Sequence, residues 1–312
     1  MIEKLKSSYS GKIAEVEFGK GKIVGGESTL PFYLWEGEMP HLPLFGIEIW
    51  DEKPNDWSQV LEKIYSDVWE DPVLWSKKAV ELGAEFIQIA LKSTDPAGSN
   101  SSPDEAAEKV KALSEAAEVP LVVYGSGDKE KDPDVLRKVV EVLKDKALVG
   151  PACEENYRLV VAPLVATSHN VVAFSPVDIN IAKQLNILIT QMDFDAKRIV
   201  MDPTTGALGY GLEYTYSIME RLRLAALLQN DQMTQMPIIS TVGQEAWRAK
   251  EAKVGQEEEP KWGELEKRGI MWELGTAIPL LLAGADLVSL RHPKSLEVLK
   301  KIRDEFAQGG SA

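Results

Sequence analysis

The chain has 312 residues, 44% of them hydrophobic and 27% charged, with a net charge of −14. This is globular composition, long enough for one large domain or two, and too acidic to favour the phosphate backbone of nucleic acid or an anionic lipid surface. The single cysteine, Cys153, excludes an internal disulfide and an iron–sulfur cluster held by four thiolates of this chain.

The first residues, MIEKLKSSYSGK, lack the apolar core of a signal peptide. The longest apolar run, Ile270 to Ala285, contains Glu273 and Pro279 and is too short to cross about 30 Å of hydrocarbon. It reads as a buried helix kinked at Pro279. The expected location is the cytoplasm.

In chain order, Lys12 to Phe18 alternates, Gly19-Lys20-Gly21 turns, and Lys22-Ile23-Val24 runs back. This predicts a β-hairpin within an N-terminal extension, residues 1–41, placed to plug a barrel bottom or to touch a partner. From there strands and helices alternate. Leu42 to Trp50 is the first strand, followed by a tryptophan-rich loop and a helix over Asp71 to Leu82. The second strand, Glu85 to Leu91, precedes a helix from Asp104 to Glu118. Leu121 to Tyr124 is the third, with a helix from Pro133 to Lys144. Ala147 to Gly150 is the fourth, with a helix from about Glu155 to Ser168. Asn170 to Phe174 is the fifth, with a helix from Val177 to Gln191. Ile199 to Met201 is the sixth, Pro237 to Thr241 the seventh and Leu287 to Leu290 the eighth, closed by a helix from Lys294 to Phe306. Short apolar strands alternating with amphipathic helices imply a parallel sheet. Eight such units close into a (β/α)8 barrel over 42–312. An insertion, Gln244 to Arg268, separates the seventh strand from its helix, and its Glu257-Glu258-Glu259 run reads as a solvated face.

The stretch after the sixth strand is the most distinctive. Asp202-Pro203 leads into a loop with Gly206, Gly209 and Gly211, then a helix with apolar positions at Leu212, Tyr216, Met219 and Leu222. Such glycines allow positive φ and close approach of a ligand, or serve only a tight βα turn.

Barrel enzymes and binding barrels work at the C-terminal ends of their strands. Those ends carry Lys92 to Asp95, Ser126 and Asp128, Cys153 and Asn156, Ser175 with Asp178 and Asn180, Asp202 with Thr204 and Thr205, Thr241 and Gln244, and Arg291-His292. This rim is rich in hydroxyls and amides and poor in bases. Of three histidines, His41 and His169 precede strands and belong at the bottom; only His292 reaches the top. Arg291 can bind an anion, but the expected partner is a carboxylate tying the last strand to the rim. No metal-ligand spacing is present. Asp128, Asp178 and Asp202 follow strands where an aspartate caps the next helix, so capping or ligand hydrogen bonds are expected of them in preference to Mg²⁺. Cys153 reads as a buried thiol. Trp50, Trp57, Trp69 and Trp75 crowd the first βα loop, where they cover the mouth or dock a partner.

The segments VMDPTTGALGYGLEYTYSIMERLRLAAL, FSPVDINIAKQLNILI, STVGQEAWRAKEA, LRHP and LPFYLWEGEMPHLPLFGIEIWD closely resemble the small subunit of the corrinoid/iron–sulfur protein of the acetyl-CoA (Wood–Ljungdahl) pathway, whose archaeal relatives belong to the acetyl-CoA decarbonylase/synthase complex. The resemblance runs from about residue 22 to the last helix. It implies a TIM barrel paired as a heterodimer with a large subunit that carries the iron–sulfur cluster and a cobalt corrinoid. It further implies a non-catalytic role in anaerobic carbon fixation. The assembly would carry a methyl group from methyltetrahydrofolate, through its methyltransferase, to acetyl-CoA synthase. The barrel top would cap the corrinoid, using Ser126, Asp128, Asn156, Ser175, Asp178, Asn180, Asp202, Thr204, Thr205, Gly206, Gly209, Tyr210, Gly211 and Thr241. No corrinoid-binding DxHxxG signature is present, so no histidine of this chain is expected on cobalt.

The alternative is an enzyme. The barrel is also similar to pterin-binding methyltransferases and dihydropteroate synthase, in which case Asp128, Asn156 and Asp202 would contact the pterin of a corrinoid methyltransferase. The departure is Thr241-Val242-Gly243, where that family carries an asparagine or lysine.

Overall fold

A computed structural model describes residues 6–309. The first five residues of the extension, which include part of the MIEKLKSSYSGK segment, and residues 310–312 of the barrel lie outside them. The hairpin forms from β1 (Val16–Gly19) and β2 (Lys22–Val24), paired antiparallel with Val16 opposite Val24. Then β3 (Leu44–Trp50) leads through α1 (Gln59–Tyr65) to α2 (Pro72–Glu81). The alternation continues as β4 (Phe86–Ala90), α3 (Pro103–Ala116), β5 (Leu121–Tyr124), α4 (Asp132–Val142), β6 (Leu148–Ala152), α5 (Tyr157–Val165), β7 (Asn170–Phe174), α6 (Ile179–Thr190), β8 (Ile199–Asp202) and α7 (Leu212–Leu228). The last strand pair is β9 (Ile239–Ser240) and β10 (Leu287–Leu290). Between them lie α8 (Val242–Ala246), α9 (Lys250–Lys253) and α10 (Leu265–Ala283), and α11 (Pro293–Gly309) ends the described chain.

The eight-stranded sheet runs β8-β7-β6-β5-β4-β3-β10-β9 with every pair parallel. A parallel bridge from Met201 to Ile238 joins its two edges, so the sheet closes into the expected (β/α)8 barrel. Local signals set the helix starts. Asp71 and Asp178 cap α2 and α6, and Ser102 forms a reciprocal capping box with Glu105 at α3, each satisfying N–H groups that have no partner within the helix.

The hairpin plugs the bottom of the barrel. Val16, Phe18 and Val24 are buried against Phe86, Val122, Leu148, Val172, Val200, Ile239 and Leu287. Phe18 meets Phe86 edge to face at 6.1 Å, and Phe86 has room only because β3 carries Gly46, where a Cβ would lie 2.4 Å from its ring. Each buried side chain of the plug contributes roughly 1.5–3 kcal/mol. Asn170 Nδ2, at the start of β7, donates to Glu17 O at 2.9 Å. This fixes the hairpin at the N-terminal end of the strands and leaves the C-terminal end open.

Several boundaries differ from expectation. The tryptophan-rich loop contains α1. The seventh strand shortens to Ile239–Ser240, and the fourth helix to Tyr157–Val165. The insertion is structured: α8 runs into it, α9 lies within it, and α10 begins at Leu265, five residues before the apolar run. Arg268 organises it by donating to the carbonyls of Glu251, Val254 and Gly263, a role invisible in a polar stretch of sequence. No helix among the described residues is long and apolar enough to cross a membrane.

Candidate ligand cleft at the C-terminal face

The open end of the barrel holds a cleft of about 410 Å³ between the ends of β4 to β9. Its deepest polar groups are Asp202, 2% exposed, and Tyr124, 8% exposed. The Tyr124 hydroxyl donates to Asp202 Oδ2 at 2.8 Å, and Thr204 N donates to Oδ1 at 3.1 Å. Burial raises the Asp202 carboxyl from 3.8 to about 6, against the lowering effect of these two hydrogen bonds. Ala90, Pro151, Cys153 and Phe174 supply apolar wall, and Lys92, Lys129 and Arg248 stand toward the mouth. Burial pushes the Cys153 thiol up, away from the reactive thiolate. A second hollow of about 430 Å³ adjoins the cleft, sharing Lys92, Gln244 and Arg248 and walled by Trp50 and Arg291.

Of the residues expected to cap a corrinoid, Ser126, Asn156, Asp202, Thr204, Thr205 and Thr241 line the cleft, as do the strand-end residues Lys92, Cys153 and Gln244. The other expected capping residues do not. Asp128 accepts from the N–H groups of Glu130 and Lys131 at 3.0 and 2.8 Å. Asp178 caps α6, with Asn180 exposed in the first turn. Ser175 is buried in the wall between β7 and β8, where its carbonyl accepts from the Thr204 hydroxyl at 2.7 Å. The loop that carries Gly206, Gly209, Tyr210 and Gly211 packs against α7, α9 and α10. Leu208 N donates to Thr276 Oγ1 and Trp272 Nε1 to Leu208 O, both at 3.0 Å, and Tyr210 donates to Glu251 at 2.9 Å. Gly209 and Gly211 hold φ of +77° and +97°, so this loop's need for glycine is met within the loop itself.

Tyr124 and Asp132 were not legible as site residues. Tyr124 sits in an apolar strand, where only the inward phase it shares with Val122 marks it. Asp132 is buried and accepts from Ser126 N, Ser126 Oγ and Gly127 N, each at 2.9 Å, shaping the loop where Asp128 was expected.

On the other side of the mouth a buried ion pair ties the strands together. Arg291 meets Glu48 through Nε to Oε2 at 3.0 Å and Nη2 to Oε1 at 2.8 Å, with side chains 3% and 0% exposed. This is the expected carboxylate tie. Trp57 and Trp50 flank the guanidinium at 4.4 and 5.5 Å, and Trp57 packs edge-on against buried Trp75 at 5.3 Å. These tryptophans therefore pack inward over the pair. Glu273 accepts from the backbone N–H of Arg291 and His292, at 2.6 and 3.3 Å, and burial brings it to about 7. His292 stacks on Trp247 at 5.8 Å, and burial lowers it to about 4. Among the described residues no cluster of three His, Cys, Asp or Glu is placed to hold a metal.

Fold and cleft together define a (β/α)8 barrel with an open cleft at its C-terminal face, lined by hydroxyls, amides and charged groups around the buried carboxylates Asp202 and Asp132. Within that class, the chain belongs to the CO dehydrogenase/acetyl-CoA synthase delta subunit family, whose model matches residues 15–303. It is 36% identical to the delta subunit of the acetyl-CoA decarbonylase/synthase complex of Archaeoglobus fulgidus, over 96% of this chain and 70% of that protein. It is 38% identical to the delta subunit from Methanocaldococcus jannaschii, over 94% and 74%. Among solved structures it is similar to Yersinia pestis dihydropteroate synthase (TM-score 0.60, 14% identity, 96% of this chain and 100% of that one) and to the Xanthomonas albilineans enzyme (TM-score 0.57, 14%, 93% and 98%). At that identity the likeness speaks for the TIM-barrel fold alone.

Proposed function

We propose that this chain is the small subunit of a heterodimeric corrinoid/iron–sulfur methyl carrier, and that the C-terminal face of its barrel covers a corrinoid held by the large subunit. The observation that carries this reading is the character of the open end: hydroxyls and amides at Ser126, Asn156, Thr204, Thr205 and Thr241 around a cleft of about 410 Å³. Such groups suit the amide side arms of a corrinoid lying against the face. Bound there, the corrinoid supplies the methyl-transfer chemistry, while this chain's residues hold side arms and exclude water. His292 is packed away against Trp247, so cobalt takes no ligand from it. The family membership supports the assignment to the acetyl-CoA complex. The methyl donor in this reading is methyltetrahydrofolate, acting through its methyltransferase, and the acceptor is acetyl-CoA synthase. The iron–sulfur cluster resides on the large subunit, and the pair works in the cytoplasm.

Co-expression with the large subunit, followed by size exclusion with visible absorbance, tests this. The expected result is a 1:1 complex that retains corrinoid, beside a colourless lone chain. A lone chain that methylates free cob(I)alamin from methyltetrahydrofolate would overturn it in favour of a methyltransferase.

A further inference from the structure

The N-terminal end of the barrel holds a buried cluster in which the charges do not balance. Glu27, on the segment between β2 and β3, is 4% exposed and shares a hollow with Arg223 of α7 and with Asp286, which precedes β10; these two are each 3% exposed. Two carboxyl groups thus face one guanidinium. The hollow between them measures about 10 Å³, at the lower limit for a single water, so it has no room for a hydrated counter-ion.

The arginine is committed to one of the two acids. Its Nη2 donates to Asp286 Oδ2 and, at 2.6 Å, to Gly284 O, and its Nη1 donates to Met236 O at 3.2 Å. Asp286 Oδ2 also accepts from Ile238 N at 2.6 Å, at the seam where Ile238 bridges to Met201 and the barrel closes. Glu27 has no cation of its own. Its Oε2 is buried and meets no N–H or O–H donor among the described residues, although the Asp286 carboxyl lies within hydrogen-bonding reach. Two ionised carboxylates have no hydrogen to share and repel each other, so this contact becomes a bond only when one of them holds a proton. Burial and the Asp286 charge raise the Glu27 carboxyl well above its ordinary 4.5, with Arg223 opposing them. No other charged residue lines the hollow: the extension adds Thr29, Pro31 and Met39, and α10 adds Leu281. Outside it, Lys12 and Glu15 pair with each other beside Gly26, both about half exposed.

We propose that Glu27 and Asp286 share one proton, and that this proton latches the segment 25–41 to the closing seam of the barrel. While it is present, Glu27 donates to Asp286 and the segment stays docked, with Glu27 O accepting from Ile13 N at 2.8 Å and Ser28 N donating to Glu38 O at 2.9 Å. In alkaline solution the proton leaves to solvent and the two carboxylates repel, which loosens the segment while the sheet persists. The latch sits at the opposite end of the barrel from the face assigned to the corrinoid and does not depend on that reading.

Infrared spectroscopy of the full chain at pH 8 tests for the proton. At that pH Asp202 and Glu273, which titrate at about 6 and about 7, are largely ionised. The wild-type chain should still show the carbonyl band of a buried protonated carboxyl, and Glu27→Gln should lose it. Folding equilibria read the same proton independently. The folded chain keeps on Glu27 a proton that the unfolded chain gives up above about 4.5, so wild-type stability falls as pH rises. Glu27→Gln, whose amide N–H stands in for the acid proton, lacks that slope. Its folding constant relative to the wild type should grow by up to about tenfold per pH unit between pH 6 and 8, the other carboxyls cancelling because both chains carry them. In the wild-type chain alone, raising the pH until the band fades should lower the amide protection of residues 25–41 in step, corrected for intrinsic exchange, while β5 stays protected. Absence of the band at pH 8, its persistence in Glu27→Gln, a ratio of folding constants that does not change with pH, or loosening that begins in the sheet overturns the proposal.

Discussion

Two sides of the barrel mouth solve the same electrostatic problem in opposite ways. On the side of β3 and β10, Glu48 is buried and fully paired: Arg291 meets both oxygens, Trp50 Nε1 adds a third donor at 2.8 Å, and Trp57 covers the guanidinium. On the side of β5 and β8, Asp202 is equally buried, with two neutral donors and open space above it. The first arrangement resembles a protein interior that uses charge for cohesion. The second leaves a buried carboxylate facing an open cleft, the kind of perturbed group that makes a functional-site candidate.

The contrast is broken most severely at the paired side. Arg291→Met leaves Glu48 buried without a cation, and removing one partner of a buried pair costs about 3–5 kcal/mol. Urea unfolding at pH 7 should show that loss, and Glu48→Gln in the same chain should recover part of it. If the single variant is as stable as the wild type, the pair is not what holds β3 to β10.

At the unpaired side the sign reverses. The Asp202 carboxyl titrates near 6 in the folded chain against an ordinary 3.8. Its charged form therefore opposes folding above pH 6, and the penalty vanishes below about pH 4. That difference corresponds to about 3 kcal/mol. Asp202→Asn should accordingly be more stable than the wild type by up to that amount at pH 8, and indistinguishable from it near pH 4. Parallel denaturation curves at the two pH values decide it; a constant difference would assign the effect to packing.

The smallest effect belongs to the rim. Lys129 and Glu155, on the adjacent loops after β5 and β6, pair with side chains 56% and 58% exposed, a geometry worth under about 1 kcal/mol. Lys129→Met should leave the unfolding midpoint almost unmoved, and a large loss would show that the rim is more tightly built than its exposure indicates.

Much of the fold was legible because a barrel strand announces itself locally. Leu121 to Tyr124 and Leu287 to Leu290 match the expected strands to the residue, since both are apolar runs bounded by turn residues. The shorter Ile239–Ser240 was not, because Pro237 lacks the N–H a ladder requires. At the site, the polar strand ends Ser126, Asn156, Asp202 and Thr241 were legible as rim residues. Nothing local separated Asp202, which faces the cleft, from Asp178, which caps a helix: both are aspartates following a strand.

The sequence by itself determined the alternation of strands and helices, the hairpin and the family, because each depends on residues close together in the chain. Only the tertiary structure decided which polar groups share a cavity. Tyr124 and Asp202 are 78 residues apart, and Glu48 and Arg291 are 243 apart. Barrel closure brings the first pair to the floor of an open cleft and the second into a sealed ion pair. Which carboxylate has a cation beside it depends on which strands are neighbours, and that is a property of the closed sheet.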